Sequence, residues 1–336
     1  MARSLLLIIS IILCLGSIMA QNDTIQEESF VSYLKRHSKD NPRISTSHYN
    51  YQDIGNTITE GCNTDYQKIK AIYKWICDSI SYDTTFKINT ADVCYQYRRG
   101  ICQAINELYY KIATAVGLKV EFIDGIAKDK TGYIEKKGHS WLFAYTSEDR
   151  GIFMDPTWGL GYVEGKTFIR KKNCWTWFNV DPEWLIFSHY PRDITFQLID
   201  RPMYKQEFLA MPPVSELCIE YGINAHSIYE SLRKEGNTLP QLYSKGQGLI
   251  ELIEIPLCKN LKVGNKYTFR VRIKSGCGLA LNSNTSSIRE QDWKDLGDGK
   301  YFLEYQVQNS TNISICVKDD SNDYWNVVVN YGIEEN

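Results

Sequence analysis

Three side chains in this sequence could together attack a carbonyl carbon. Cys102 stands in Tyr97-Arg98-Arg99-Gly100-Ile101-Cys102-Gln103-Ala104, at the head of a helical pattern. His139 stands in Gly138-His139-Ser140-Trp141, opening an alternating run, and Asp155 in Met154-Asp155-Pro156-Thr157-Trp158, closing a short apolar run. A thiol nucleophile needs a base, and the base needs an acceptor that orients it. The three arrive in the order Cys, His, Asp, at intervals of 37 and 16 residues. Taken singly, each has a bland reading: a buried thiol, a satisfied histidine, a turn-forming Asp before Pro. Their joint order and local settings favour the chemistry of an activated thiol.

The elements that must position them follow from periodicity. Ile69, Ile72, Tyr73, Ile76 and Ile80 recur at spacings of three and four, predicting a helix from Asp65, as N-cap, to about Ser81. Residues 84–97 read as a loop. Ile105, Leu108, Tyr109, Ile112 and Val116 predict a second helix from Cys102 to the stop at Gly117. The first-turn N–H groups favour an anion, so a thiolate at Cys102 is stabilised there, and Gly100 lets the backbone bend closely before it. The Cys102 N–H is also placed to donate to a developing oxyanion; for a second donor Trp75, Tyr82 and Tyr97 stand open.

Residues 119–127, 139–145 and 151–154 read as strands. In the second, His139, Trp141, Phe143 and Tyr145 share one face, which points inward if the strand packs on the nucleophile helix. If the second and third pair as a hairpin, Asp155 comes beside His139. Trp158 and Trp141 are then candidate substrate-contacting rings. The other histidines, His37, His48, His189 and His226, lie in polar or irregular settings and read as solvated or structural. No His-x-x-x-His, acidic calcium loop or glycine-rich phosphate loop occurs, so no metal or cofactor is expected.

The chain has 336 residues, a prior for about two domains, and a net charge of −2, which gives no basic footprint for nucleic acid. Arg3, the apolar run 5–19 and Ala20 predict a signal peptide over residues 1–20, hence export to a periplasmic or extracellular space and no membrane span after cleavage. Cys14 admits a lipoprotein reading, but Ile12-Leu13 lacks the small residue such a site carries. Nine cysteines remain beyond residue 20, an odd number without a C-x-x-C pair, and their pairing is open. The expected order is an N-terminal segment (21–64), a catalytic domain (65–225), a linker (226–248) and a β-sandwich (249–336) of strands at regular intervals. The fold class is α+β.

The blocks Ile72-Tyr73-Lys74-Trp75-Ile76, Ile80-Ser81-Tyr82-Asp83, Gly100-Ile101-Cys102, Gly138-His139-Ser140-Trp141 and Asp155-Pro156-Thr157-Trp158-Gly159 resemble the transglutaminase-like superfamily. Asp181-Pro182-Glu183-Trp184-Leu185-Ile186-Phe187-Ser188-His189-Tyr190-Pro191 extends the likeness to the kyphoscoliosis-peptidase group and its bacterial relatives. The resemblance implies a papain-like core, a nucleophile helix packed on an antiparallel sheet, followed by an immunoglobulin-like sandwich. It implies Cys102 as nucleophile, His139 as general base and acid, and Asp155 as orienter. The implied activity is hydrolysis of an amide in a peptide, protein or cell-wall peptide. Cross-linking by the same triad is one alternative; a non-catalytic module binding a surface polymer or partner protein is another. Gln103-Ala104-Ile105-Asn106 departs from the small or acidic residue and following Gly or Tyr that relatives often carry after the nucleophile.

Overall fold

A computed structural model describes residues 48–335, apart from 135–137, 148–150, 235–237, 285, 320 and 322. The signal-peptide expectation, Cys14 and most of the 21–64 segment lie outside the described residues. The chain divides into two units, 1–54 and 55–336. Of the first, residues 48–54 are described, and they open the helix Tyr51–Ile58. The second holds all the elements that follow.

Helix α1 (Asp65–Ser79) forms where the 3.6-residue stripe predicts it and buries Ile69, Ile72, Tyr73 and Ile76. Its cap is Thr64 rather than Asp65: the Thr64 hydroxyl accepts from the Gln67 N–H while the Gln67 side chain accepts in return. Residues 84–97 are not all loop, because Ala91–Tyr97 form helix α2, with Ala91 and Cys94 buried. That segment is too short for periodicity to reveal. Helix α3 (Cys102–Ala115) buries Ala104, Ile105, Leu108, Tyr109 and Ile112.

The site rests on a five-stranded antiparallel sheet. Its strands are β1 (Val120–Ala127), β2 (His139–Tyr145), β3 (Gly151–Met154), β4 (Phe178–Val180) and β5 (His189–Pro191), in the order β4-β3-β2-β1-β5. The anticipated hairpin is β2–β3, with Leu142 opposite Met154 and Phe143 opposite Phe153. The expected facing of β2 is corrected. Asn106 of α3 bonds the Ser140 hydroxyl, so the Ser140–Leu142–Ala144 face meets the helix. Trp141 and Phe143 instead pack with Ile123, Phe153, Trp177, Val180 and Leu185. Both faces are buried, and alternation alone could not say which one takes the helix.

Beyond residue 240 two sheets share one core. One runs Ile250–Glu254, Lys266–Ile273, Lys300–Gln306, Lys294–Gly297. The other is built on Cys277–Ser283, Asn312–Asp319 and Trp325–Glu334. Leu252, Phe269 and Val271 of the first meet Leu279, Ile315, Val317 and Val329 of the second. The 226–248 stretch does not behave as a free linker: helix Ala225–Leu232 buries Ile228, and Phe187, Cys218 and Tyr221 join the same core. No helix among the described residues is long and apolar enough to cross a membrane.

Candidate active site

The approach to Cys102 is fixed by short pairings. Ser81 and Tyr82 pair in parallel with Arg99 and Gly100, and the Ile101 N–H donates to the Ile88 carbonyl at 3.0 Å. At Gly100 a Cβ would lie 2.8 Å from the Cys94 thiol and 3.0 Å from the Ala104 methyl, so only glycine lets this segment lie against α2 and α3. Asp83 is fully buried and gathers the loop before it, accepting from the N–H groups of Thr85, Lys87 and Ile88 and the Thr85 hydroxyl. Burial would raise its pKa, but these donors outweigh it and hold the carboxyl at about 2.

Cys102 is the first residue of α3 and part-exposed. Its backbone N–H, at the first helical position, has no intrahelical acceptor. His139 opens β2 at 9 % exposure; its Nε2 lies 2.6 Å from Oδ2 of Asp155. The His139 imidazole lies near enough to the Cys102 thiol to act on its ionisation, and Nδ1 is the ring nitrogen that Asp155 leaves open. Asp155 is fully buried and caps the short helix Pro156–Leu160, its Oδ1 accepting from the Trp158 N–H at 3.0 Å. The turn-forming reading of Asp155 and the histidine-orienting one are therefore both met, one by each oxygen.

The charges follow from this geometry. Burial opposes an imidazolium at His139, but the Asp155 carboxylate and the contact with Cys102 outweigh it and raise the pKa to about 10. Burial likewise opposes ionisation of Cys102, yet the hydrogen bond and charge of His139, with the Ser140 N–H donating to sulfur, bring the thiol below its ordinary value. Asp155 resists burial through His139 and a second imidazole and stays well below the usual carboxylate range. All three shifts run toward the charged forms: a more acidic thiol, a more basic imidazole and a more acidic carboxylate.

Two members of this cluster were not legible as such. His189, read as solvated or structural, is 1 % exposed on β5, with Nε2 3.1 Å from Oδ2 of Asp155 and Nδ1 2.7 Å from the Ser188 hydroxyl. Its irregular sequence setting hid a short edge strand. Asn106 lies one turn beyond Cys102 on the same face of α3. Its amide donates to the Ser140 carbonyl at 2.6 Å and hydroxyl at 3.1 Å, tying helix to strand beside the thiol. A polar residue inside an apolar helical stripe was the available signal. By donor type His139, Asp155 and His189, within 4.8 Å of one another, could hold a cation; here the two imidazoles already hydrogen-bond one carboxylate oxygen.

A cleft of about 1310 Å³ opens beside His139, lined also by Trp158, Tyr82, Phe86, Tyr162 and Lys130. Cys102 is not among its lining residues. Of the candidate substrate-contacting rings, Trp158 lines the cleft. Trp141 does not: it is 1 % exposed and backs His139 from the core, its ring over Gly125. Of the open choices for a second oxyanion donor, Tyr82 lines the cleft, Trp75 stacks on Tyr95 under Arg98, and Tyr97 is 61 % exposed. The nine described cysteines are free thiols.

Residues 52–156 match the family model of the transglutaminase-like superfamily. Kyphoscoliosis peptidase of Homo sapiens is 24% identical over 170 residues, 46% of this chain and 25% of that protein. Hillarin of Drosophila melanogaster is 24% identical over 199 residues, 52% of this chain and 24% of that protein. The chain thus spans about a quarter of the length of these curated relatives. A solved TGase structure aligns over 44% of this chain and 41% of that one, at 15% identity and a TM-score of 0.27. Cys102, His139 and Asp155 all fall inside the segment that the family model matches, and the chain carries a transglutaminase-like domain similar to part of kyphoscoliosis peptidase.

Proposed function

We propose that this chain is an exported thiol acyl-transfer enzyme whose principal reaction is hydrolysis of amide bonds in a peptide, protein or cell-wall peptide. The observation that carries the reading is the buried His139–Asp155 pair, 2.6 Å between imidazole and carboxylate, set beside the Cys102 thiol at the head of α3. Cys102 Sγ attacks the amide carbon, and the oxyanion is met by the Cys102 N–H at the helix start. The imidazolium of His139 gives its Nδ1 proton to the leaving amine as the C–N bond breaks, leaving a thioester. A water then loses a proton to the same nitrogen and attacks the thioester, the C–S bond breaks, and the acid leaves with the Cys102 thiolate and the His139 imidazolium restored. An amine in place of water gives cross-linking instead. Trp158 lines the substrate cleft, the catalytic unit spans residues 65–225, and the paired sheets of 249–336 serve as an immunoglobulin-like module.

The test is alkylation of Cys102 by iodoacetamide, followed at that peptide by mass spectrometry in the native protein, Cys102→Ala and His139→Ala. Fast modification at mildly acidic pH that depends on His139 is expected. A Cys102 no more reactive than an ordinary thiol would sink the reading in favour of a binding module. Acyl donors offered with and without an added amine separate hydrolysis from transfer.

A further inference from the structure

Asp155 is held from two sides. His139 approaches its Oδ2 from β2, and His189 approaches the same oxygen from β5. The sheet register brings them there: Gly125 of β1 pairs with His139 on one side and Pro191 on the other, and Ala127 pairs with His189. His189 is enclosed by Trp141, Trp158 and Trp177, with ring centroids at 5.0, 4.5 and 5.2 Å. So much fixed aromatic surface around one imidazole sets its orientation by packing.

We propose that His189 is a positioning residue of the site: a neutral imidazole, locked as its Nε2–H tautomer, that donates to Asp155 and holds that carboxylate ionised and aimed at His139. The inference rests on the thiol-enzyme reading above. An ionised Asp155 can only accept, so the ring proton of a neutral His189 sits on Nε2, and Nδ1, 2.7 Å from the Ser188 hydroxyl, is left to accept from it in competition with the Leu185 carbonyl at 3.3 Å. The titratable groups facing His189 are Asp155 and His139; Lys128, whose N–H bonds the Ser188 carbonyl, turns its ammonium to the carbonyls of Phe208 and Met211. With His139 charged and its ring centroid 5.5 Å away, one carboxylate cannot support a second buried imidazolium. Burial and the His139 charge accordingly hold His189 below its ordinary value against the pull of Asp155. A neutral donor helps Asp155 without competing for the proton that His139 must keep. A residue of a purely structural kind would leave the titration of His139 where it is.

The experiment is a nitrogen NMR titration of the imidazoles in the native full chain, His189→Leu, His189→Gln and Ser188→Ala, with the rate of Cys102 alkylation by iodoacetamide followed across the pH range of the His139 titration beside it. In the native protein His139 should titrate near 10 and His189 should stay neutral with its proton on Nε2. In His189→Leu the His139 titration should fall by about one unit or more, and the pH at which Cys102 alkylation responds to loss of the His139 charge should fall with it. His189→Gln, which keeps an N–H donor, should recover most of both. Should His189→Leu not fold, Ser188→Ala decides the matter: it keeps the ring but removes the hydroxyl at Nδ1, and a smaller downward shift of His139 is expected. A His189 that charges while His139 is charged, or a folded variant with an unmoved His139, overturns the proposal alone. A native protein with an ordinary His139 titration and an unreactive Cys102 overturns the enzyme reading with it.

Discussion

Replacing Asp155 with Asn tests whether charge, and not shape, activates the thiol. The amide would keep the side-chain volume and one hydrogen-bond acceptor but not the negative charge. The rise of His139 from an ordinary 6.5 to about 10 corresponds to on the order of 5 kcal/mol of preference for the imidazolium, at a largely buried ring. Without the carboxylate the burial penalty is opposed by Cys102 alone, so His139 should lose most of its charge at pH 6. Cys102 then loses its cationic neighbour, and burial carries the thiol to or above the free value of about 8.5. At pH 6 the thiolate fraction would fall below about one in three hundred, so iodoacetamide alkylation should slow by the ratio of the native thiolate fraction to that one, up to on the order of 100-fold. The assay is the pH dependence of Cys102 modification in the native protein and Asp155→Asn, with circular dichroism to show that both are folded. A pH 6 rate within about twofold of native would refute the electrostatic argument outright.

Further outcomes follow from the same geometry. Gly125→Ala places a Cβ 2.1 Å from the Tyr190 carbonyl and 2.6 Å from the Trp141 ring, so a loss of at least about 2 kcal/mol is expected in urea unfolding. Asn106→Leu removes both bonds to Ser140, whose N–H supports the thiolate; it should cost about 1–2 kcal/mol and slow Cys102 alkylation at pH 6. Asp83, held at about 2 against an unfolded value near 3.9, stabilises the protein above that range and loses its contribution as pH falls from about 4 to 2. Urea midpoints at pH 7 and pH 2.5 should therefore differ more in the native protein than in Asp83→Asn. His139, raised to about 10, contributes fully below 6.5 and loses its stabilising charge as pH rises through 10, so turnover should fall on that alkaline limb.

The sequence and the structure part company where burial is two-sided or segments are short. Helices α1 and α3 are readable because their outer faces are wet and their apolar stripes stand out. Strand β2 has six buried residues out of seven, so alternation identified the strand but assigned α3 to the wrong face. Helix α2 and strand β5 are too short for a period to show, and with β5 went the meaning of His189. Asp155 was readable as a turn former and as a histidine partner, but only the fold shows the carboxylate dividing its two oxygens between those tasks. The 226–248 stretch carries a proline and mixed composition, which reads as a connection; Ile228, placed in the shared core, ties it down through contacts distant in sequence.

The most direct measurement is capture of the acyl intermediate. Native protein mixed with a reactive peptide thioester or ester and quenched in acid within the first turnover should carry the acyl group on Cys102, located by fragmentation mass spectrometry. The adduct should be absent from Cys102→Ala, and in His139→Ala it should form far more slowly. Turnover that survives in Cys102→Ala, or an acyl group carried on another residue, would contradict the account at its centre.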